Sequence, residues 1–420
     1  MLLDLLASIA PQLGFELSAV HVNHQISPNA AAWQLFCRAL CRRRAIGLQC
    51  FPVEVARGDS LEAAARSARY RVFAQLPVSV IALAQHQDDQ AETVLLQLLR
   101  GAGLRGLSAM PAARSLGQPT GAASAVAARL VRPLLDVPRS QLKAYARQRR
   151  LRWIEDESNA DVSLDRNFLR HQVLPIVEQH FPAYRTTLGR AGRNMAEAAQ
   201  LLDSLAAKDA RGALTRAGLR IAALRRLDRA RAKNLLRYFL AVHSVTMPAA
   251  VRLEECLRQA LQSADDAEVR ILLAGCELRR FGDTLHIVEP LPVAHANFER
   301  IWQGEDTMPI EELGGTLLMR RRRGAGIDVE RLAGQTVSVR PRRGGERLRP
   351  DCARPRRTLK NLLQEIRLPP WARERLPLLF AGEDLVWVPG IGIDCAYQAH
   401  GRQPALMPHW RAGAQTAGRA

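Results

Sequence analysis

Cysteine and acidic residues are scarce in this sequence. Seven cysteines are scattered over 420 residues, which excludes a disulfide-rich scaffold and predicts free thiols in a reducing compartment. No apolar run approaches the roughly 20 residues that span a bilayer, and the amino terminus lacks the pattern of a signal peptide. We therefore expect a cytoplasmic protein that makes no membrane contact.

The deficit of acidic side chains leaves a strongly basic chain. Lys and Arg total 60 against 41 Asp and Glu, giving a net charge of +19 and a pI near 10.8. Such a balance favours a polyanionic partner, and nucleic acid is preferred to a membrane surface. The hydrophobic content of 47% is enough for two or three domains with cores of their own.

The first hundred residues alternate between helical and strand periodicity, which is typical of a parallel sheet covered by helices. The pattern predicts a helix over 2–13 and strands over 17–22, 48–55 and 78–84. The last of these segments is continuously apolar, which predicts a strand buried on both faces. Further along, 185–262 has helical spacing, whereas 337–405 alternates Arg-rich turns with apolar runs and indicates a small α+β module.

Four polar residues lie between the end of the strand predicted over 78–84 and the first turns of the following helix: His86, Asp88, Asp89 and Glu92. The i, i+3 and i, i+4 spacings place at least two of the carboxylates on one helix face. Such a cluster can bind Mg²⁺ with phosphate oxygens, bind a cationic amine or accept protons. The alternative is a helix start that simply favours acids, which accounts for Asp88 and Asp89 but not for His86 or Glu92.

Three further segments carry polar signals. The string over 101–106 matches G-x-G-x-x-G but follows a helix instead of a strand, which argues against a dinucleotide site. Together with Arg100, this string is either a loop whose backbone can approach a phosphate or an ordinary glycine loop.

Arg166 and Arg170 are four positions apart and so lie on one helix face, which suits binding of a phosphate. The alternative is that they mark an exposed helix start. Residues 340–375 hold 12 basic and four acidic side chains, which favours RNA or DNA contact over a solvated basic face.

Several motifs, taken in order, resemble tRNA(Ile)-lysidine synthetase. They are HVNH at 21–24, AQHQDDQAET, RGAGLRGLSAM, RPLL, WIEDESN, RNFLR and, near the carboxyl terminus, VRPRRGGERLRP and VPGIGID. The resemblance covers essentially the whole chain. It implies a Rossmann-like parallel sheet of the ATP pyrophosphatase type that lacks its first strand, followed by a helical domain and a small α+β domain. The implied boundaries are 1–182 for the catalytic domain, 183–290 for the helical domain, 291–335 for a linker, 336–406 for the basic module and 407–420 for a tail.

The resemblance also implies an activity and its partners. The enzyme would use ATP and Mg²⁺ to adenylate the wobble cytidine of isoleucine tRNA with a CAU anticodon. Free L-lysine would then displace AMP to form lysidine, which changes codon recognition from AUG to AUA. A homodimer is left open.

Site residues carry over by motif. The implied catalytic residues are His86, Asp88, Asp89 and Glu92, with Asp89 and Glu92 as Mg²⁺ ligands. Nucleotide binding would fall to His21, Asn23, His24 and Arg100. The lysine or cytidine pocket would use Arg132, Asp156, Asn159, Arg166, Asn167 and Arg170. The implied tRNA contacts are Arg340, Arg342, Arg343, Arg347, Arg349, Arg356, Arg357 and Lys360.

The sequence departs from the family at one point. Family members carry Ser-Gly-Gly-x-Asp-Ser after a first strand, where backbone N–H groups cradle the ATP phosphates, and that string occurs nowhere here. We attribute this to a start codon assigned too late and expect the 420-residue chain to bind ATP poorly. The alternatives are a catalytically impaired tRNA-binding remnant and a related tRNA-thiolating enzyme, although the chain has no C-x-x-C for sulfur chemistry.

Overall fold

The computed structural model describes residues 1–55, 61–116, 128–215, 217–263, 269–289 and 298–412. The chain divides into two compact units, 1–202 and 203–420. Within the described ranges, no helix combines the length and the apolar character needed to cross a bilayer.

The first unit alternates helices and short strands up to residue 148 and is helical afterwards. Its elements are α1 Leu2–Leu13, β1 Ser18–Asn23, α2 Ala30–Arg43, β2 Gly47–Pro52, α3 Leu61–Gln75, β3 Val80–Ala82, α4 Gln87–Leu99, α5 Leu104–Leu107, β4 Ala113–Ser115, β5 Arg129–Val131, α6 Arg139–Gln148, a 3₁₀ turn Glu157–Ala160, α7 Asp165–Phe168, a π-helical turn Leu169–Val173, α8 Leu174–His180 and α9 Tyr184–Asp209, which runs past the unit boundary. The predicted α/β alternation is confirmed.

The strands of the first unit pair in two groups. β1 and β2 are parallel over six residue pairs, while β3 is parallel to β5, and β4 lies antiparallel on the other edge of β5. The side chains of Phe73, Leu116 and Leu130 form a core against which Val22 of β1 also packs. The strand predicted over 78–84 shrinks to Val80–Ala82. The prediction that it is buried on both faces is wrong: it is an edge strand, and Val80 is 53% exposed.

The chain order places polar residues at the carboxyl ends of parallel strands. β1 ends at Asn23, and β3 leads within a few residues to His86 and α4. Helix α4 begins here because His86 caps it and two acidic residues occupy its first turn, where they complement the helix dipole. The candidate site is built on this edge.

The first part of the second unit combines helices with a sheet. It contains β6 Leu214–Thr215, β7 Gly218–Arg220, α10 Ile221–Arg225, α11 Arg229–Val242, α12 Ala250–Gln262, β8 Arg270–Leu273, β9 Cys276–Phe281 and β10 Thr284–Val288. The strands form one antiparallel sheet in the order β6-β7-β10-β9-β8, packed on the helices through Leu219, Leu235, Phe239, Leu257 and Leu278. The prediction of a purely helical segment missed this sheet, because its strands are only two to six residues long.

The remainder of the second unit is mainly antiparallel sheet. It contains β11 Arg300–Ile301, β12 Thr307–Ile310, β13 Gly315–Arg323, β14 Ile327–Asp328, α13 Val329–Leu332, β15 Val337–Arg340, β16 Arg347–Leu348, β17 Arg357–Thr358, α14 Leu359–Glu365, α15 Pro370–Arg373, β18 Leu378–Ala381, β19 Asp384–Val388, β20 Gly392–Ile393 and β21 Pro404–Ala412. Two larger sheets run in the orders β11-β15-β18-β19-β20 and β12-β13-β21-β14.

These sheets join segments that the sequence had assigned to a linker and a tail. β13 pairs with β21 over nine residue pairs, from Gly315 with Ala412 to Arg323 with Pro404. Alternate residues of β13, Leu317 and Met319, are buried in the core of this region, which explains why 315–323 is structural. Residues 291–297 and 413–420, which belong to the same predictions, lie outside the described residues.

One pair of cysteines is bonded. Cys352 and Cys395 form a disulfide with their Cα atoms 5.6 Å apart, so the prediction that all seven cysteines are thiols is wrong for this pair. The two residues are 43 positions apart in the chain, and no local spacing reveals that they meet. Cys37, Cys41, Cys50, Cys256 and Cys276 are free thiols.

Candidate active site

His86 and Asp89 form a reciprocal cap at the start of α4. The backbone N–H of Asp89 donates to His86 Nδ1 at 3.4 Å, and the backbone N–H of His86 donates to Asp89 Oδ2 at 3.0 Å. An Nδ1 that accepts a hydrogen bond carries no proton, so a neutral His86 bears its proton on Nε2. The cap fixes both side chains before any ligand arrives.

Glu92 lies one turn further along α4 and is almost completely buried, at 2% exposure. Arg170 donates to both of its oxygens, from Nε to Oε1 at 2.6 Å and from a terminal nitrogen to Oε2 at 2.8 Å. Arg166 adds a bond from Nε to Oε2 at 3.1 Å and another to the hydroxyl of Thr93 at 2.9 Å. The structure thus brings the predicted Arg166 and Arg170 pair onto α4.

Asp88 has a different set of partners. Its Oδ2 accepts the backbone N–H of Arg139 at 2.8 Å, and its Oδ1 accepts Nε of Arg185 at 2.7 Å. Arg185 also makes two bonds to Glu178, at 2.6 and 2.9 Å. Burial alone would raise the pKa of Asp88, but the bonds from Arg139 and Arg185 outweigh it and lower that pKa.

A cavity of about 270 Å³ opens beside these groups. Its wall carries both signs of charge, together with a tyrosine whose pKa is raised by burial to about 12. The lining residues are Asp88, Glu92, Arg139, Ser140, Lys143, Arg170, Leu174, Pro175, Glu178, Tyr184 and Arg185. Such a mixture suits a small zwitterion, since it offers carboxylates to an ammonium group and cations to a carboxylate.

A second group of charges surrounds Tyr70 on α3. The guanidinium groups of Arg66 and Arg114 each lie 4.9 Å from the centre of its ring. Arg132, only 3% exposed, donates to the side chain of Gln85 at 2.6 Å and to the carbonyl of Pro111 at 2.7 Å. Burial lowers the pKa of Arg132, and the nearby Arg114 and Arg66 lower it further. Three guanidinium groups in one place make an anion site.

The residues at the end of β1 adjoin another arginine. Arg69 lies with a terminal nitrogen 3.3 Å from Nε2 of His24, while Nδ1 of His24 is buried without a hydrogen-bond partner. Burial, reinforced by Arg69 and His21, lowers the pKa of His24, and burial lowers that of His21. Asn23 donates to Gln34 at 3.2 Å and accepts the backbone N–H of Gln25 at 2.9 Å, which shapes the turn after β1.

Comparison with known proteins decides the family. Residues 1–177 match the PP-loop domain, 219–286 the TilS substrate binding domain and 337–410 the TilS substrate C-terminal domain. The chain is 47% identical to the tRNA(Ile)-lysidine synthase of Nitrosomonas europaea over 98% of this chain and 89% of that protein. The enzyme of the same name from Chromobacterium violaceum is 42% identical, over 96% and 89%, and that from Coxiella burnetii 37% identical, over 96% and 88%.

The chain belongs to the tRNA(Ile)-lysidine synthase family. Membership confirms the resemblance and the fold class predicted from the sequence, a PP-loop ATP pyrophosphatase domain followed by the substrate-binding and C-terminal domains of the lysidine synthases. The order of the motifs predicted the family.

Four of the residues that the family resemblance suggested lie apart from the carboxylate cluster. Arg100, at the far end of α4, pairs on the surface with Asp165 at 2.6 Å. Asn167 donates to the carbonyls of Ser158 and Asp161. Asp156 caps the 3₁₀ turn by accepting the N–H of Ser158, and Asn159 is exposed. These last three residues order the loop in front of α7, which carries Arg166.

The basic C-terminal segment is largely neutralised within the chain. Arg340 and Arg343 both lie near Glu299, and Arg340 also pairs with Glu383. The other pairs are Arg342 with Glu346, Arg356 with Asp394 and Arg357 with Glu365, while Arg347 and Arg349 donate to backbone carbonyls. Lys360 is exposed. Dense basic charge in the sequence therefore overstates the charge available to a partner.

Asp89 and Glu92 do not fit the magnesium site implied by the family resemblance. Both oxygens of Glu92 already accept guanidinium hydrogen bonds, and both oxygens of Asp89 accept N–H groups from His86 and Arg170. Mg²⁺ demands near-octahedral oxygen coordination at about 2.0–2.1 Å, and arginines at these distances oppose it. Across the described residues, no group of three His, Cys, Asp or Glu side chains is arranged to hold a metal.

The sequence missed several residues of the site. Arg66 and Arg69 are i, i+3 on α3, and Tyr70 is i+4 from Arg66; that helical spacing is the one signal that pointed to them. The remaining residues reach their sites only through the tertiary fold. Arg114 on β4 joins the group around Tyr70. The cavity is lined by four residues from later helices: Arg139, Lys143, Glu178 and Arg185.

Proposed function

We propose that this protein forms lysidine on the wobble cytidine of isoleucine tRNA with a CAU anticodon, using ATP and free L-lysine. The observation that carries the proposal is the cluster of His86, Asp89 and Glu92 with Arg166 and Arg170, at the strand-to-helix edge where such folds bind ligands. The full-length similarity to lysidine synthases supports the same reaction.

The anion site around Tyr70 suits the ATP phosphates. Arg66 on α3, Arg114 on β4 and Arg132, which directly follows β5, converge without a carboxylate among their described partners. Arg69, whose side chain lies against His24, extends the positive surface to the end of β1. Asp89 and Glu92 would take no part in holding magnesium, whose chemistry, if it accompanies ATP, would be to neutralise phosphate charge.

The cavity beside Asp88 suits free lysine. Arg139 and Lys143 line it, and neither side chain has an ion-pair partner among the described residues, so both are available to a carboxylate. Glu92, Asp88 and Glu178 also line the cavity and add negative charge that suits ammonium groups. We assign the lysine carboxylate to Arg139 and Lys143 and direct its ε-amine toward the carboxylates of α4.

The reaction would proceed in two displacements. The ring carbonyl oxygen of the cytidine attacks the α-phosphorus of ATP and expels diphosphate, which turns that oxygen into part of an AMP leaving group. The lysine ε-amine then attacks the activated ring carbon, the carbon–oxygen bond breaks and AMP departs with the electron pair. Asp89 would accept the proton of the amine, because its Oδ1 has only a 3.3 Å contact with Arg170. Glu92 would position Arg166 and Arg170.

The domain assignment completes the proposal. The PP-loop unit would carry the chemistry, and the helix-and-sheet segment with the C-terminal module would bind the tRNA body, in line with their similarity to substrate-binding domains. The proposed boundaries are those of the sequence prediction, except that β11 to β14 and the whole of β21 belong with the sheets of the C-terminal module.

Incorporation of radiolabelled lysine into isoleucine tRNA, with ATP and Mg²⁺ present, tests the function. The 420-residue chain is assayed beside the tRNA(Ile)-lysidine synthase of Nitrosomonas europaea as the positive control. Asp89→Asn should abolish incorporation and preserve tRNA retention, whereas Asp136→Asn, which changes an exposed acid, should leave both incorporation and retention unchanged. Retention of tRNA without incorporation by this chain, under conditions in which the control enzyme incorporates lysine, would contradict the proposal and indicate a binding remnant.

A further inference from the structure

The side chains of strand β13 change from buried and mainly apolar to exposed and basic half-way along the strand. Its first part alternates buried and partly buried side chains, with Leu317 and Met319 in the core. Its last four residues, Arg320, Arg321, Arg322 and Arg323, are all exposed. Among the residues that the structure describes, none of these four guanidinium groups has a hydrogen bond or an ion pair.

Seven other arginines of the basic C-terminal region differ from these four because their guanidinium groups are already paired. The seven arginines predicted to contact RNA between Arg340 and Arg357 all have ion-pair or carbonyl partners within the chain. Guanidinium groups that are already paired gain less from a phosphate, because the existing bonds must break first. Four adjacent unpaired cations also repel one another until a polyanion neutralises them.

Pairing with β21 gives the four arginines a defined geometry. The ladder continues to the last of them, with Arg320 opposite Met407 and Arg323 opposite Pro404. β21 pairs in turn with β14 through Leu406 and Ala405, so the four arginines are held at the end of a strand within a sheet. Successive side chains of a strand point to opposite faces, and same-face neighbours are about 6.8 Å apart. Arg320 and Arg322 therefore occupy one face, and Arg321 and Arg323 the other. Arg402, just before β21, is also exposed.

We propose that this arginine ribbon, Arg320–Arg323 of β13 with its partner strand, binds the sugar–phosphate backbone of the tRNA. Same-face arginines spaced in this way can follow consecutive phosphates, and a ribbon charged on both faces can contact two backbone segments. Phosphate contacts of this kind position an RNA without reading its sequence. The identity of the RNA rests on the proposed function, whereas the ribbon's affinity for RNA phosphate does not.

The test is the salt dependence of tRNA binding by face-paired variants of the full chain. Arg320→Ala with Arg322→Ala, and separately Arg321→Ala with Arg323→Ala, are titrated with unmodified isoleucine tRNA between 50 and 300 mM salt. The matched control is Arg300→Ala with Arg354→Ala, which removes two surface arginines that are paired with Glu312 and Asp351. Circular dichroism and urea unfolding establish that all three are folded.

At least one ribbon variant should bind tRNA roughly tenfold more weakly at 150 mM salt. The slope of log K against log salt should fall in magnitude by about 1.4–1.8, the loss expected for two phosphate contacts. The control should retain affinity within roughly threefold and keep its slope. A loss on one face only would identify the face that contacts RNA. Parent-like binding by both ribbon variants, or an equal loss in the control, would overturn the inference.

Two further measurements separate this inference from the proposed function. If the parent protein forms lysidine while both ribbon variants bind tRNA normally, the ribbon inference falls and the function stands. If the parent forms no lysidine but the ribbon variants lose RNA affinity, the function falls and the ribbon inference stands. Binding to vesicles of anionic lipid that is stronger than binding to tRNA would also overturn it, since the ribbon's partner would then be a membrane.

Discussion

Arg170 binds the carboxylate of Glu92 through two nearly parallel hydrogen bonds, of 2.6 and 2.8 Å, and so ties the π-helical turn at 169–173 to helix α4. The π-helical turn inserts between α7 and α8, the kind of local irregularity that often marks functional sites. Burial alone would lower the pKa of Arg170, but the hydrogen bonds that it donates to Glu92, together with the negative charge of Glu92, outweigh burial and raise that pKa. Arg170 therefore remains charged.

Replacing Glu92 by Gln should destabilise the protein and stop lysidine formation. The change removes the buried carboxylate shared by Arg166 and Arg170 and leaves them only the longer contacts with Glu62 at 3.5 Å and Asp89 at 3.3 Å. This loss should cost about 3 kcal/mol in the free energy of unfolding. Urea unfolding measures this cost. Asp165→Asn is the matched control, because it breaks the surface pair with Arg100 and should cost less than about 1 kcal/mol. Equal losses in the two variants would contradict the role assigned to Glu92.

Replacing Arg114 by Ala should weaken ATP use specifically. If the guanidinium group beside Tyr70 binds a phosphate, losing one charge-assisted hydrogen bond should raise KM for ATP roughly tenfold and leave KM for lysine unchanged. Initial rates of lysine incorporation at varied ATP give both values. Arg129→Ala, on the neighbouring strand β5, removes an exposed arginine outside the cluster and should leave KM for ATP unchanged. A parallel rise of both KM values in the Arg114 variant would indicate a structural defect instead.

The sequence predicted those parts of the site that depend on local chemistry. His86 and Asp89 meet because a helix start needs capping groups, and Arg166 and Arg170 share a face because of helical spacing. It could not predict that both arginines would close on Glu92, 74 and 78 residues away. That contact excludes the expected magnesium ligands, and only the tertiary fold reveals it.

The fold shows the same division between local and long-range information. Helix α1 was predicted correctly, because it ends at Gly14, which adopts the left-handed conformation of a C-cap. The sheet from β6 to β10 and the pairing of β13 with β21 were missed, since partners far apart in the chain leave no local signal. The bonded cysteines at 352 and 395 were missed for the same reason.

Replacing Gly218 by Ala should destabilise the sheet from β6 to β10 severely. Gly218 has a φ of +146°, and an added Cβ would clash with the carbonyl oxygen of Leu285 on β10. The backbone would have to move, at a cost of at least about 3 kcal/mol in the free energy of unfolding. Gly212→Ala is the control, because its φ of +71° is also left-handed but nothing lies within 4 Å; it should cost about 1 kcal/mol. Indistinguishable urea midpoints would refute the clash.

Replacing Asp88 by Asn should remove part of the protein's stability and alter its dependence on pH. The pKa of Asp88 is lowered in the folded state by Arg139 and Arg185, against the opposing effect of burial. The ionised carboxylate therefore stabilises the fold above the unfolded pKa of about 3.9, and this contribution disappears as pH falls through the lower folded value. We expect the variant to be about 2 kcal/mol less stable than the parent at pH 7. This difference in stability should shrink below pH 4.

Urea unfolding at several pH values measures the difference in the free energy of unfolding, with Asp136→Asn as the exposed control. A difference that stays constant down to pH 3 would show that Asp88 contributes through packing alone.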